Sequence, residues 1–233
     1  MVQTCCSLFR DISAGLLDTS STLYWAEKIN KDYGLRCGIT KTMDTPHLIL
    51  RQACMVLKQM GRPLVDACGV THLYFRNLGP NKPYYPNHGY YCQDDNSVTI
   101  NSDVFVHPDQ PEDFFDHRGY FVTRGEQTLF HEMGHALDAI KGNLSLKSDW
   151  LKLSGWSETP KTGLKMIVIR DPGSPEVKGE WYYDPRAEFT RFYAKRNPWD
   201  DFADSFSFYV GNIRTKLPEN KEAYFKGLLK GLL

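Results

Sequence analysis

Residues 131–135 read His131-Glu132-Met133-Gly134-His135, a spacing that can build the site of a zinc-dependent hydrolase on a single helix. Each residue of an α-helix turns by about 100°, so positions i and i+4 differ by about 40° and both imidazoles point the same way. Two neutral imidazoles one turn apart can share a Zn²⁺ at about 2.0–2.1 Å each. Glu132, about 100° round from His131, sets its carboxylate beside that metal. The chemistry needs both parts: a Lewis acid that lowers the pKa of a water towards about 7, and a base to take its proton. A lone histidine would read as an ordinary polar residue on a solvated face. Two at this spacing, with Glu at i+1, favour the metal.

The pattern counts only on a helix. Thr123-Arg124-Gly125-Glu126 fits a capping box, with Thr123 as N-cap and Glu126 reaching back. Leu129, Met133, Ala136, Leu137 and Ile140 recur at helical spacing as an apolar stripe. Thr128, His131, His135 and Asp138 share another face. Lys141-Gly142-Asn143 supplies a basic last turn and a glycine stop. The spacing predicts a helix over roughly 125–141. Gly134 costs it about 1 kcal/mol relative to Ala, which close approach by another element would explain.

A catalytic zinc takes three protein ligands and keeps one open position. The third ligand is expected from the helix that Asn197-Pro198 begins, with Asn as N-cap and Pro at the first position. Asp200 and Asp204 lie one turn apart on one of its faces, away from Phe202, Phe206, Tyr209 and Ile213. One can bind the metal while the other orients a ligand histidine. The bland alternative, acids offsetting the helix dipole, accounts for Asp200 and Asp201 better than for Asp204.

His131-Glu132-Met133-Gly134-His135-Ala136-Leu137-Asp138 resembles the H-E-x-G-H-A-[LV]-D stretch of the anthrax lethal factor catalytic domain and the related Pro-Pro endopeptidases. In that family a Tyr precedes the third, carboxylate ligand by seven residues, and a second acid follows the ligand by four. Here Tyr193, Asp200 and Asp204 have that spacing. The match covers 125–141 and 189–209 closely, and residues 1–85 lie outside the resemblance. The resemblance implies a zincin-like α+β metallopeptidase: a small antiparallel or mixed sheet, an active-site helix and a mainly helical C-terminal part. It implies one Zn²⁺ per chain on His131, His135 and Asp200, with Asp204 and Asp138 supporting the ligands. Glu132 would be the catalytic base and Tyr193 the hydroxyl that steadies the oxyanion. The family ligand is usually Glu, one CH₂ longer than Asp. Either the backbone sits closer to the metal here, or the ligand is Asp201, Asp204 or Glu188. Tyr182 and Tyr183 compete with Tyr193.

The 233 residues are 41% hydrophobic and 13% aromatic, enough for one substantial core. We read one domain over 1–233, with 1–85 as an N-terminal helical and strand part and 86–233 as the zinc-binding catalytic part. Lysine plus arginine and aspartate plus glutamate are both 28, for zero formal net charge. That speaks against nucleic acid or an anionic membrane as partner. No stretch approaches about 18 apolar residues, so no membrane span is expected. The first ten residues lack a basic start and an unbroken apolar run, so they do not read as a Sec signal. A cytoplasmic chain, a mature fragment or one exported by another route fits; the resemblance favours a secreted or translocated effector with a host protein as substrate. All six cysteines fall in the first 92 residues without C-x-x-C spacing and are expected to be mostly free thiols.

Residues 8–32 read as helical, Pro46 to Met60 as a helix on a stripe of Leu48, Leu50, Ala53, Val56 and Leu57, and Val70 to Phe75 as a strand. Tyr90-Tyr91-Cys92 and Ser97–Ile100, joined at Asp94-Asp95-Asn96, read as a hairpin. Such a strand can pair with an extended peptide or be purely structural. Residues 142–185 read as irregular except for a short strand at Met166–Ile169, and a last helix is expected from Glu219 to Leu232. The expected activity is peptide-bond hydrolysis in a protein substrate. Its competitors are a zinc-binding interaction module without catalysis and a non-peptidase zinc hydrolase.

Overall fold

A computed structural model describes residues 19–40, 43, 45–77, 88–102, 104, 124–170, 177–212 and 217–233. The expectations for residues 8–18, for the Thr123 cap, for Ile213 and for Cys5 and Cys6 fall outside them. The fold is mixed α+β, with seven α-helices and a small mixed sheet among the described residues.

Helix α1 (Thr19–Tyr33) leads to strand β1 (Arg36–Ile39), then α2 (Pro46–Met60) and α3 (Arg62–Cys68) cross over to β2 (His72–Arg76). The strands β1 and β2 are parallel neighbours, as a helical crossover requires. On α2 the buried face is Ile49, Leu50, Ala53, Cys54, Val56, Leu57 and Met60. Leu50, Ala53, Val56 and Leu57 are buried as expected, whereas Leu48, also expected in the core, is 46% exposed.

The expected hairpin is present. Strands β3 (Gly89–Cys92) and β4 (Ser97–Asn101) pair antiparallel with Tyr91 opposite Val98. The order is β1-β2-β4-β3, and β4 runs parallel to β2. Central β4 is buried throughout, whereas β3 is an edge whose four residues are half-buried.

The long helix α4 (Arg124–Ile140) packs on β3 and β4 with one side and on α6 (Pro198–Val210) with another. Leu129, Met133, Ala136 and Leu137 are buried as expected, but Ile140 ends the stripe half exposed. Its C-terminus closes in a Schellman turn: the Asn143 N–H donates to the Asp138 carbonyl at 2.8 Å and the Gly142 N–H to Ala139 at 3.0 Å. Gly142 supplies the left-handed φ of +82° that this turn needs.

The described residues of 142–170 and 177–185 hold more regular structure than their sequence suggests. They contain α5 (Ser148–Ser154) and an antiparallel sheet of β5 (Trp156–Ser157), β6 (Lys165–Arg170) and β7 (Val177–Tyr183) in the order β5-β7-β6. Apolar alternation is weak there; the ladder is helped by aromatic packing of Trp156 on Tyr183 and Phe189. The last helix, α7, runs Glu219–Leu228, four residues short of the expected end. One hydrophobic cluster extends from Ile29 on α1 to Leu229 beyond α7, and strands from both sides of residue 85 share one sheet. Cys37, Cys54, Cys68 and Cys92 are free thiols; burial pushes Cys37 up to about 12. No helix among the described residues is long and apolar enough to cross a membrane.

Candidate metal centre

The site forms where α4 faces α6, and a glycine permits the approach. A Cβ on Gly134 would lie 3.0 Å from Ala203 Cα and 3.2 Å from the Ala203 carbonyl oxygen. With almost no side chain between the helices, the short Asp200 reaches both histidines. Its Oδ1 lies 3.4 Å from His135 Nε2 and 3.7 Å from His131 Nε2, and the two Nε2 atoms are 3.0 Å apart. His131, His135 and Asp200 therefore form a group that can hold a metal ion.

Two of the three donors, on His131 and Asp200, are aimed by a neighbour. The remaining ring nitrogen of His131 is 2.8 Å from Asp204 Oδ1; a carboxylate only accepts, so Nδ1–H is the donor and Nε2 is the nitrogen that could hold a metal ion. Arg191 grips the same fully buried Asp204 by two hydrogen bonds of 2.7 Å. Asn197 both caps and aims: its Oδ1 accepts the Asp200 N–H at 2.7 Å, and its Nδ2 donates to Asp200 Oδ2 at 2.7 Å. That occupies one carboxylate oxygen and leaves Oδ1 facing the two histidines.

Charges in this cluster support one another. Burial disfavours the His131 imidazolium, but the Asp200 and Asp204 carboxylates and the nearby Glu132 outweigh it, and in the metal-free protein His131 is pushed up to about 10. Burial alone would raise Asp200, yet the adjacent His131 and His135 rings hold it well below the usual carboxylate range. Asp204 is likewise held low against its burial by Arg191 and His131. Burial pushes the Glu132 carboxyl up, against the lowering influence of both histidines; a raised carboxyl suits proton transfer near neutrality.

The Tyr193 ring lies 5.6 Å from the His131 ring and is flanked by two guanidinium groups, Arg191 at 5.0 Å and Arg196 at 4.7 Å from its centroid. Burial raises the Tyr193 phenol above its usual value, which keeps it protonated as a hydrogen-bond donor. Tyr182 instead donates to Glu180 at 2.8 Å, and Tyr183 packs on Trp156 and Phe189. Only Tyr193 of the three lines the cavity of about 420 Å³ that contains His131, Glu132, His135 and Asp200.

The rival ligands are elsewhere. Asp201 is fully buried on the far side of α6, where it accepts from Lys221 Nζ at 2.6 Å and Trp156 Nε1 at 3.1 Å. Glu188 is exposed and outside the metal-capable group. Asp138 departs from the expected role of orienting a ligand. It lines the cavity, but its two oxygens accept from the backbone N–H and the hydroxyl of Ser145, both at 2.6 Å. Facing the turn after α4, it ties the helix end to that loop.

Arg191, the Asn197 amide and the Lys221–Trp156 clasp on Asp201 were not found from sequence. An N-cap was legible at Asn197, but no local pattern marks a side chain whose partner lies on another element. Compared with known protein families and with curated protein sequences, the chain matches none.

Proposed function

We propose that the chain is a zinc-dependent endopeptidase of the zincin type, akin to the lethal factor catalytic domain and the Pro-Pro endopeptidases, acting on a protein or peptide substrate. The observation that carries this reading is the convergence of His131 Nε2, His135 Nε2 and Asp200 Oδ1 beside Glu132. A tetrahedral ion with bonds of about 2.0–2.1 Å sets its ligand atoms about 3.4 Å apart. The observed separations of 3.0, 3.4 and 3.7 Å bracket that value, and two imidazoles with one carboxylate suit zinc. Zinc there would supply a Lewis acid that polarises a substrate carbonyl and acidifies water.

The protein groups divide the remaining work. Glu132 accepts the proton of the attacking water and passes it to the leaving amine. Asp204, held by Arg191, keeps His131 in the metal-binding tautomer. The Tyr193 hydroxyl donates to the oxygen that becomes negative. Edge strand β3 lines the same cavity through Gly89, Tyr90 and Tyr91, which favours an extended peptide over a small molecule. A host protein as substrate, and an effector role, rest on the resemblance alone.

The test is Glu132→Gln with the metal content measured alongside. Peptide hydrolysis should fall about 10²- to 10⁴-fold while one zinc per chain is retained. Unchanged hydrolysis by a zinc-loaded Glu132→Gln protein would sink the mechanism.

A further inference from the structure

The acids around the cavity are already engaged. Asp138 is held by Ser145, Asp200 by Asn197 and the histidines, and Glu132 is the base. Among the described lining residues the one lysine or arginine is Arg196. It is exposed, and among the described residues its side chain has neither a hydrogen bond nor a carboxylate partner; its contact is with the face of Tyr193 at 4.7 Å.

That contact determines what the guanidinium can still do. A guanidinium over a ring is held by the ring's quadrupole rather than by its N–H groups, so those donors remain available to another partner. Five donors in a planar fork match a carboxylate edge-on. The backbone beneath it is fixed: the Arg196 N–H donates to the Tyr193 carbonyl at 3.1 Å, and the next residue caps the ligand helix. Trp199, packed on Trp181 at 5.6 Å, lines the cavity on the same segment. Tyr193 in turn is 5.6 Å from the His131 ring, so the fork stands within reach of a substrate residue about two or three positions from the reacting carbonyl, at about 3.3–3.6 Å per extended residue.

Building on the peptidase reading, we propose that Arg196 is a specificity-determining residue that binds an Asp or Glu side chain of the substrate two or three positions from the scissile bond. An exposed stem on a rigid turn gives a modest but selective contact. A charge-assisted hydrogen-bonded pair at such a place favours the acidic peptide over its amide by about 10-fold, and salt weakens the preference.

The experiment uses the zinc-loaded Glu132→Gln protein, which binds without turnover. Capped, C-amidated peptides carrying Glu, Gln or Lys at each of the three positions on either side of a fixed centre are titrated by fluorescence anisotropy. A matched set with free C-termini separates a side-chain carboxylate from a terminal one. Expected is about 10-fold tighter binding of Glu over Gln at one position, reduced at high salt, with Arg196→Glu reversing the preference towards Lys. Equal weakening of every peptide by Arg196→Glu would overturn the assignment and leave Arg196 as a support for the Tyr193 ring. So would a preference met only by free C-termini. The peptidase reading fails separately: if the wild-type chain cleaves none of these peptides yet the charge preference and its reversal persist, Arg196 stands as a carboxylate-binding residue of a non-hydrolytic site.

Discussion

Three aspartates occupy five consecutive positions of α6, and the structure gives each a different fate that substitution can separate. The informative variant is Asp201→Asn. Asp201 and Lys221 are both fully buried and joined at 2.6 Å. Neutralising the acid strands an ammonium in the core, at a cost of about 3–5 kcal/mol. In a chain of this size each kcal/mol moves Tm by about 2–4 °C, so the midpoint should fall by roughly 6–20 °C. Metal affinity should stay within about threefold, because the lost charge faces α7 and β5 rather than the histidines. Asp204→Asn should do the reverse: a loss of about 10- to 100-fold in zinc affinity. Asp200→Asn, which removes the carboxylate that would complete the metal-capable group, should weaken zinc further still. Calorimetry in excess chelator reads the stability and competition with a chromogenic chelator reads the affinity. Adding Lys221→Met to Asp201→Asn should recover most of the stability, since the stranded charge is gone while Asn can still accept from Trp156. A tenfold loss of zinc affinity in Asp201→Asn, with Asp200→Asn unaffected, would refute the ligand assignment.

Two further outcomes follow from the helix contact and from His131. Gly134→Ala should lower both Tm and zinc affinity, because the new methyl meets the Ala203 backbone at 3.0–3.2 Å and overpacking of about 1–3 kcal/mol outweighs a helix-propensity gain of about 1 kcal/mol; a variant with higher Tm and unchanged affinity would show that the helices have room to spare. In the metal-free protein His131 is raised to about 10 from an unfolded value of about 6.5. Its contribution is therefore complete below about 6.5 and lost as pH rises through about 10. Zinc needs the neutral ring, so its affinity should rise about tenfold per pH unit between about 7 and 9; a flat profile over that range would contradict the His131–Asp204 arrangement.

The local part of the site was legible in the sequence because it is encoded by helix geometry. Two histidines four apart and a glutamate between them share a helix whatever surrounds it, and the apolar residues of α4 say which side is buried. The N-cap at Asn197 and the hairpin at Asp94–Asn96 were readable for the same reason, since each depends on neighbours within a few residues. The structured region after residue 142 was not, because its strands are held by partners across the sheet and by aromatic contacts rather than by their own alternation. Asp138 was misjudged because the helix face it shares with the histidines says nothing about Ser145, which comes round in the turn beyond.

The sequence by itself determined that the chain carries a histidine pair with a flanking glutamate on one helix, and that three candidate acids follow a tyrosine later in the chain. It did not decide among Asp200, Asp201 and Asp204, since residues within one helical turn differ only in direction until the helix is docked. Docking at Gly134 separated them: it turned Asp200 to His131 and His135, Asp204 to His131 and Arg191, and Asp201 to Lys221. Direction relative to another element is a property of packing, and packing exists only in the folded chain.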